Sequence, residues 1–198
     1  MKKILFPAIV SLVLFFGTRT NAQGHVVNAQ IELSKATYFL FEIKLPMLID
    51  YGNTLEDVRR ESTYDRIGLT NANINSNNFP NEKTGVVSTN AILVHYMYPV
   101  SADMVLSDFK DANIRPATML ELMEFGPQYT DMLSQMIVVG LGTNSSVYGG
   151  FPWIGTEAYG DLEADFSKGE PADKNIYHGI DFMFSSAHWF LAFPITNQ

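Results

Sequence analysis

The stretch GVVSTNAILVHYMY, residues 85–98, decides the fold together with the punctuated run behind it: Pro99, Ser101, Asn113 and Thr118-Met119-Leu120-Glu121. Val, Ile and Tyr dominate residues 85–98 and no proline interrupts them, which is the composition of a packed strand. Val87, Ala91, Leu93, His95 and Met97 lie largely on one face of it, and Pro99 ends it. The apolar period then lengthens to that of a helix. Ser101 is placed to cap a helix on which Val105, Phe109 and Ala112 recur, with Asn113 suited to a left-handed terminator. Thr118 and Glu121 fit a capping box for a second helix whose Met119, Leu122, Met123 and Phe125 supply a face to bury, and Gly126-Pro127 is expected to stop it.

Toward the N-terminus, Val27, Ala29, Ile31 and Leu33 alternate and the aromatics Tyr38, Phe39 and Phe41 follow before Pro46, predicting two strands about a turn near Ser34-Lys35. Thr54 as cap, with Asp57 at the third helical position, predicts a short helix from Leu55 to about Ser62. Asn71 to Lys83 crowds six asparagines around Phe79-Pro80 and reads as a loop, since Asn bonds its own backbone. Toward the C-terminus, Ile137 to Leu141 is the continuous apolar run of a buried strand, and Ile180 to Phe184 and Trp189 to Phe193 predict two more. Tyr148 to Asp173 reads as a long connection with one hairpin around Phe151 to Tyr159. These elements make an α+β fold: one domain over residues 23–198, a mainly antiparallel sheet with a mid-chain cluster of short helices, a separate N-terminal subdomain over 23–70 being the other division.

Residues 1–22 hold Lys2-Lys3, an apolar run from Ile4 to Phe16, and Thr20-Asn21-Ala22, which are the three parts of a secretory signal peptide. That apolar run is shorter than the ~20 residues that span a bilayer, so an exported product without stable membrane insertion after cleavage is expected, periplasmic or extracellular. The 198 residues include no cysteine, which excludes disulfides, a thiolate nucleophile and Cys-ligated metal. Beyond residue 22 there are 10 Lys and Arg against 21 Asp and Glu, with no basic run. Nucleic acid is therefore excluded as a partner, because nothing would neutralise its phosphates.

Tyr64-Asp65, Asn73-Ile74, Asn78-Phe79-Pro80, the strand 86–98, Ile114-Arg115-Pro116-Ala117-Thr118 with Glu121-Leu122, and the run 137–142 together resemble an uncharacterised bacterial domain family of hypothetical proteins. In that family Arg-Pro-Ala-Thr, two residues and Glu-Leu open a helix and an Ile-Val-Ala-Leu-Gly-like strand follows; here the strand reads Val-Val-Gly-Leu-Gly. The resemblance covers roughly Tyr64 to Gly142 and implies no catalytic residues. The same helix start is also similar, at one local motif, to C-type-lectin-like folds.

The candidate chemistry lies mostly outside that segment. Asp161, Glu163 and Asp165 alternate as the oxygen ligands of a calcium site would, although the EF-hand template fails on Phe166 and Ala172; the other reading is a solvated acidic loop. His178, Asp181 and His188 could converge for zinc or general-base work if the last two strands pair. Ser145, Ser146, Ser185 and Ser186 fall near turns but lack a nucleophile elbow. Arg115 either binds a carboxylate or anchors its loop to the helix. Tyr148, Phe151, Trp153 and Tyr159 either line a groove for a protein or glycan ligand or pack beneath the connection. The sequence thus points to an exported, non-enzymatic binding or interaction module, with an exported hydrolase, metal-assisted or not, and a structural part of the cell envelope as alternatives.

Overall fold

The computed structural model describes residues 30–33, 40–64, 70–143, 145, 147–156, 161–171 and 182–195. The leader and the turn near Ser34-Lys35 lie outside them. The strands are β1 (Gln30–Leu33), β2 (Leu40–Asp50), β3 (Val86–Tyr96), β4 (Ile114–Pro116), β5 (Ile137–Val139), β6 (Phe151–Thr156), β7 (Leu162–Ser167), β8 (Glu170–Pro171), β9 (Phe182–Met183) and β10 (His188–Pro194). The helices are α1 (Leu55–Glu61), α2 (Ala102–Asp111), α3 (Met119–Gln128) and α4 (Thr130–Leu133). Eight strands make one sheet in the order β1-β2-β3-β10-β5-β6-β7, with β4 also on β10, while β8 and β9 pair separately. The pair β5 and β10 is parallel and the other described pairs are antiparallel. Chain order is thus α+β, and no described helix is long and apolar enough to cross a membrane.

The middle of the sheet is covered on both sides. Leu45, Met47, Ala91, Leu93, Val138, Ile154 and Leu191 bury against α1, α3 and α4 in one core. Ile92, Val94, Tyr96, Val139 and Phe190 bury against Val105 and Phe109 of α2 in a second. Hence Ala91 to Val94 are four consecutive buried residues; of the face read from the sequence only Ala91 and Leu93 are buried, His95 is half-buried and Val87 and Met97 are exposed, while Ile92, Val94 and Tyr96 are buried on the other face. The apolar run in β10 has the same cause, for it lies between β3 on one edge and β4 and β5 sharing the other.

Local punctuation behaves as the residue chemistry requires. Thr54 accepts from the Asp57 N–H and Asp57 accepts from the Thr54 N–H, which opens α1. Ser101 caps α2 and Asn113 leaves it at φ 55°. The asparagine loop folds on its own side chains, with Asn71 and Asn75 accepting from the N–H groups of Asn73 and Asn78. It then ties to α1 through Ser76, which donates to Glu56 by both N–H and hydroxyl. The loop does not separate two sheets, since β2 before it and β3 after it pair over eleven residues.

Pro46 lies inside β2, because Tyr51 N–H bonds toward β3 and so the even-numbered residues, Pro46 included, direct their N positions away from it. Two expectations are corrected. Gly126-Pro127 does not stop α3, which continues to Gln128. Among the described residues of Tyr148 to Asp173, most lie in the antiparallel pair β6 and β7 rather than in a connection, because Leu162, Ala164 and Phe166 alternate with polar residues and face a core.

Candidate ligand-binding face

The β6–β7 register sets Trp153 opposite Asp165, Gly155 opposite Glu163 and Phe151 opposite Ser167. Residues directly opposed across a pair share a face. One face of the hairpin therefore carries Phe151, Trp153, Glu163, Asp165 and Ser167, all half-buried. The indole extends along the strand beside Gly155, whose Cβ position would lie at van der Waals contact, 3.4 Å, from Trp153 Cζ3. The inner flanks of Phe151 and Trp153 rest on the α2-side core, with Phe151 6.4 Å from the Phe184 ring. Two aromatic rings one strand away from Glu163 and Asp165, the latter accepting from Asn71 and from the Phe166 N–H through Oδ1, offer stacking surface beside polar groups, which is the chemistry that holds a sugar ring or a peptide side chain.

The four aromatics singled out in the sequence do not form one group. Tyr148 sits on the opposite side of the hairpin, its ring 5.9 Å from Phe79 and 5.7 Å from Phe166. Phe79 and Phe166 are 5.7 Å apart, so the three rings close a triangle that docks the asparagine loop. Asn71 completes that docking, donating its N–H to the Ala164 carbonyl and its side-chain amide to Asp165 at 2.7 Å. Tyr159 lies outside the described residues.

Asp161 precedes β7, and Glu163 and Asp165 occupy alternate positions within it rather than a loop. Alternate strand residues stand roughly 7 Å apart, whereas a calcium ion draws its ligands to about 2.3–2.6 Å. Among the described residues, no three His, Asp or Glu side chains converge on a point that could hold a metal ion. His178 and Asp181 lie outside the described residues. His188 is half-buried, and burial holds its pKa below the ordinary value. Its Nδ1 is 3.1 Å from Ser185 Oγ, and the Phe184 ring meets it edge-on at 5.3 Å. His95 stacks on Trp189 at 4.4 Å with its Nε2 2.7 Å from the Ser186 carbonyl.

Arg115 stands in a different setting. Its two outer nitrogens each lie 2.7 Å from an oxygen of Glu121, whose side chain has no exposed surface. Glu121 also accepts from the Thr118 N–H at 2.9 Å, from the Tyr51 hydroxyl, and from Lys83 at 3.2 Å. Arg115 lies over the Phe193 ring and Lys83 over the Tyr51 ring. Burial alone would raise the pKa of Glu121, but the bonds from Arg115, Thr118 and Tyr51 outweigh it and bring it to about 2. The residues of Arg-Pro-Ala-Thr-x-x-Glu are thus accounted for by structure. Arg115 and Glu121 join strand to helix, and Gly142, lacking a side chain, approaches the backbone of Ala117 so closely that a Cβ on it would meet the Ala117 carbonyl oxygen at 2.5 Å. Tyr51 and Lys83 had no local signal, since they reach Glu121 from distant segments.

The fold and its sites define a mixed-sheet α+β protein. The chain matches no family model, no curated protein and no solved structure.

Proposed function

We propose that the protein is an exported, non-enzymatic binding module, carried to the periplasm or the cell exterior by residues 1–22, that holds a glycan or protein ligand on the Phe151–Trp153 face. The observation that carries this reading is the shared, half-buried face of Phe151, Trp153, Glu163 and Asp165 on a hairpin fixed by the core behind it. A flat indole on a rigid strand loses little entropy on binding and stacks on any planar apolar surface. Arg115 does not compete for the role, because both of its outer nitrogens are held by Glu121.

The test is affinity measurement against a glycan and peptide panel with wild type, Trp153→Ala and Arg115→Lys. A ligand whose affinity falls at least tenfold in Trp153→Ala, with an unchanged far-UV spectrum, supports the reading. A ligand that binds Trp153→Ala as well as wild type contradicts it.

A hydrolase is the second reading, favoured by one observation. Ser185 Oγ accepts from the Ala187 N–H and lies 3.1 Å from His188 Nδ1, which is also 3.3 Å from the Ser185 carbonyl oxygen, and burial lowers the pKa of that ring against the opposing charge of Glu170. Labelling of Ser185 by a fluorophosphonate, abolished by His188→Ala, would establish it. Absence of labelling would leave the Ser185–His188 contact as part of the turn into β10.

A further inference from the structure

The β6–β7 face joins an aromatic ring to a carboxylate whose charge the fold positions. Trp153 and Asp165 are opposed residues of the two strands, and both are half-buried. Side chains so opposed leave the backbone about 4.5–5.5 Å apart at Cβ, so one small group can touch both. Asp165 Oδ1 accepts from the Asn71 side-chain amide at 2.7 Å and from the Phe166 N–H at 2.8 Å. Asn71 is itself tied to β7, its N–H bonded to the Ala164 carbonyl. Both donors to Asp165 are neutral, so they hold the carboxylate in place without cancelling its charge. Residues 151–167 contain four Asp and Glu and no Lys, Arg or His. Lys168, the next residue, has its ammonium over the Phe182 ring.

We infer that this face takes a basic peptide, by an arginine whose guanidinium stacks on the Trp153 indole and donates to the Asp165 carboxylate; the inference rests on the ligand-binding reading of the same face. A guanidinium is attracted to an aromatic face within about 6 Å of the ring centroid. Its planar fork stacks and donates N–H groups at once, which the compact ammonium of lysine or of an amino sugar does not. Charge acts in the same direction over longer range, since 21 Asp and Glu against 10 Lys and Arg beyond residue 22 draw a basic partner.

The experiment titrates the protein with a short arginine-containing peptide and with its citrulline counterpart, in which a neutral urea of the same shape replaces the guanidinium, while NMR follows the Trp153 indole. Wild type should bind the arginine peptide at least tenfold more tightly, as a charge-assisted bond implies. That preference should shrink as salt rises to about 0.3 M. Asp165→Asn keeps an oxygen for Asn71 and Phe166 and should abolish the preference. Equal affinity of wild type for the two peptides, a preference that survives Asp165→Asn, or binding of a chitosan oligomer but not of the arginine peptide would each overturn the inference. A neutral ligand that moves the indole in those cases would leave the binding face standing, whereas an indole that no ligand moves would remove both.

Discussion

Glu121 and Glu124 stand three positions apart on α3 and are pushed in opposite directions. Glu121 is held ionised by Arg115, Thr118 and Tyr51, with its pKa at about 2. Glu124 is raised by burial, with the charges of Asp50 and Glu61 adding to it and the bond from Asn53 opposing it. A depressed carboxyl contributes stability that is complete above its unfolded pKa and is lost as pH falls through the folded one; for Glu121 that window runs from about pH 4.5 down to about 2. A raised carboxyl works the other way, its stability present at low pH and lost as pH rises through the folded value. Glu121→Gln should cost about 3 kcal/mol at pH 7 by leaving Arg115 unpaired, at the low end for a broken buried pair because Arg115 still reaches water. Its melting temperature should also vary less than that of wild type between pH 5 and 3. Glu124→Gln should raise the melting temperature at pH 7 by about 2–4 °C and leave it unchanged at pH 4, since the amide keeps the Asn53 bond without the buried charge. Thermal melts of both variants across pH check the two signs. The sequence carried the Thr118–Glu121 half of this site, because a capping box is local; Tyr51 and Lys83 enter through tertiary contact and left no pattern to read.

At the scale of elements, Gly126-Pro127 shows why a stop signal can be misread. Pro127 has no N–H, so the Met123 carbonyl four residues earlier loses its helical donor. The buried Tyr64 hydroxyl supplies one, at 3.3 Å. Gly126 is what admits it, since a Cβ there would stand 2.0 Å from the Tyr64 oxygen. The pair therefore marks a docking point for the segment after α1. Tyr64→Phe should cost about 1–3 kcal/mol by leaving a buried carbonyl without a partner. Pro127→Ala in the same chain should recover much of that loss by restoring the helical N–H, and a double-mutant cycle in denaturant measures the coupling. The β6–β7 hairpin was misread for a related reason: the carboxylates at Asp161, Glu163 and Asp165 suggested an ion-binding loop, while the intervening Leu162, Ala164 and Phe166 already had the period of a strand. The capped helices α1 and α2 were legible because their signals are contiguous.

For the whole molecule, the sheet divides two cores, and the strands buried on both faces should be the last to open. Amides of residues 91–94 in β3 and 190–193 in β10 should show the slowest hydrogen exchange, and those of β8 and β9, outside the main sheet, much faster exchange. The central claim, a ligand held by the β6–β7 face, is tested most directly by mapping amide and indole chemical shifts during titration with any glycan or peptide that raises the melting temperature. The Trp153 indole and the amides of Phe151, Gly155, Glu163 and Asp165 should move with a common dissociation constant while those of Arg115 and Glu121 stay still. Shifts confined to the Arg115–Glu121 site or to the Ser185–His188 turn, with the hairpin unmoved, would contradict it.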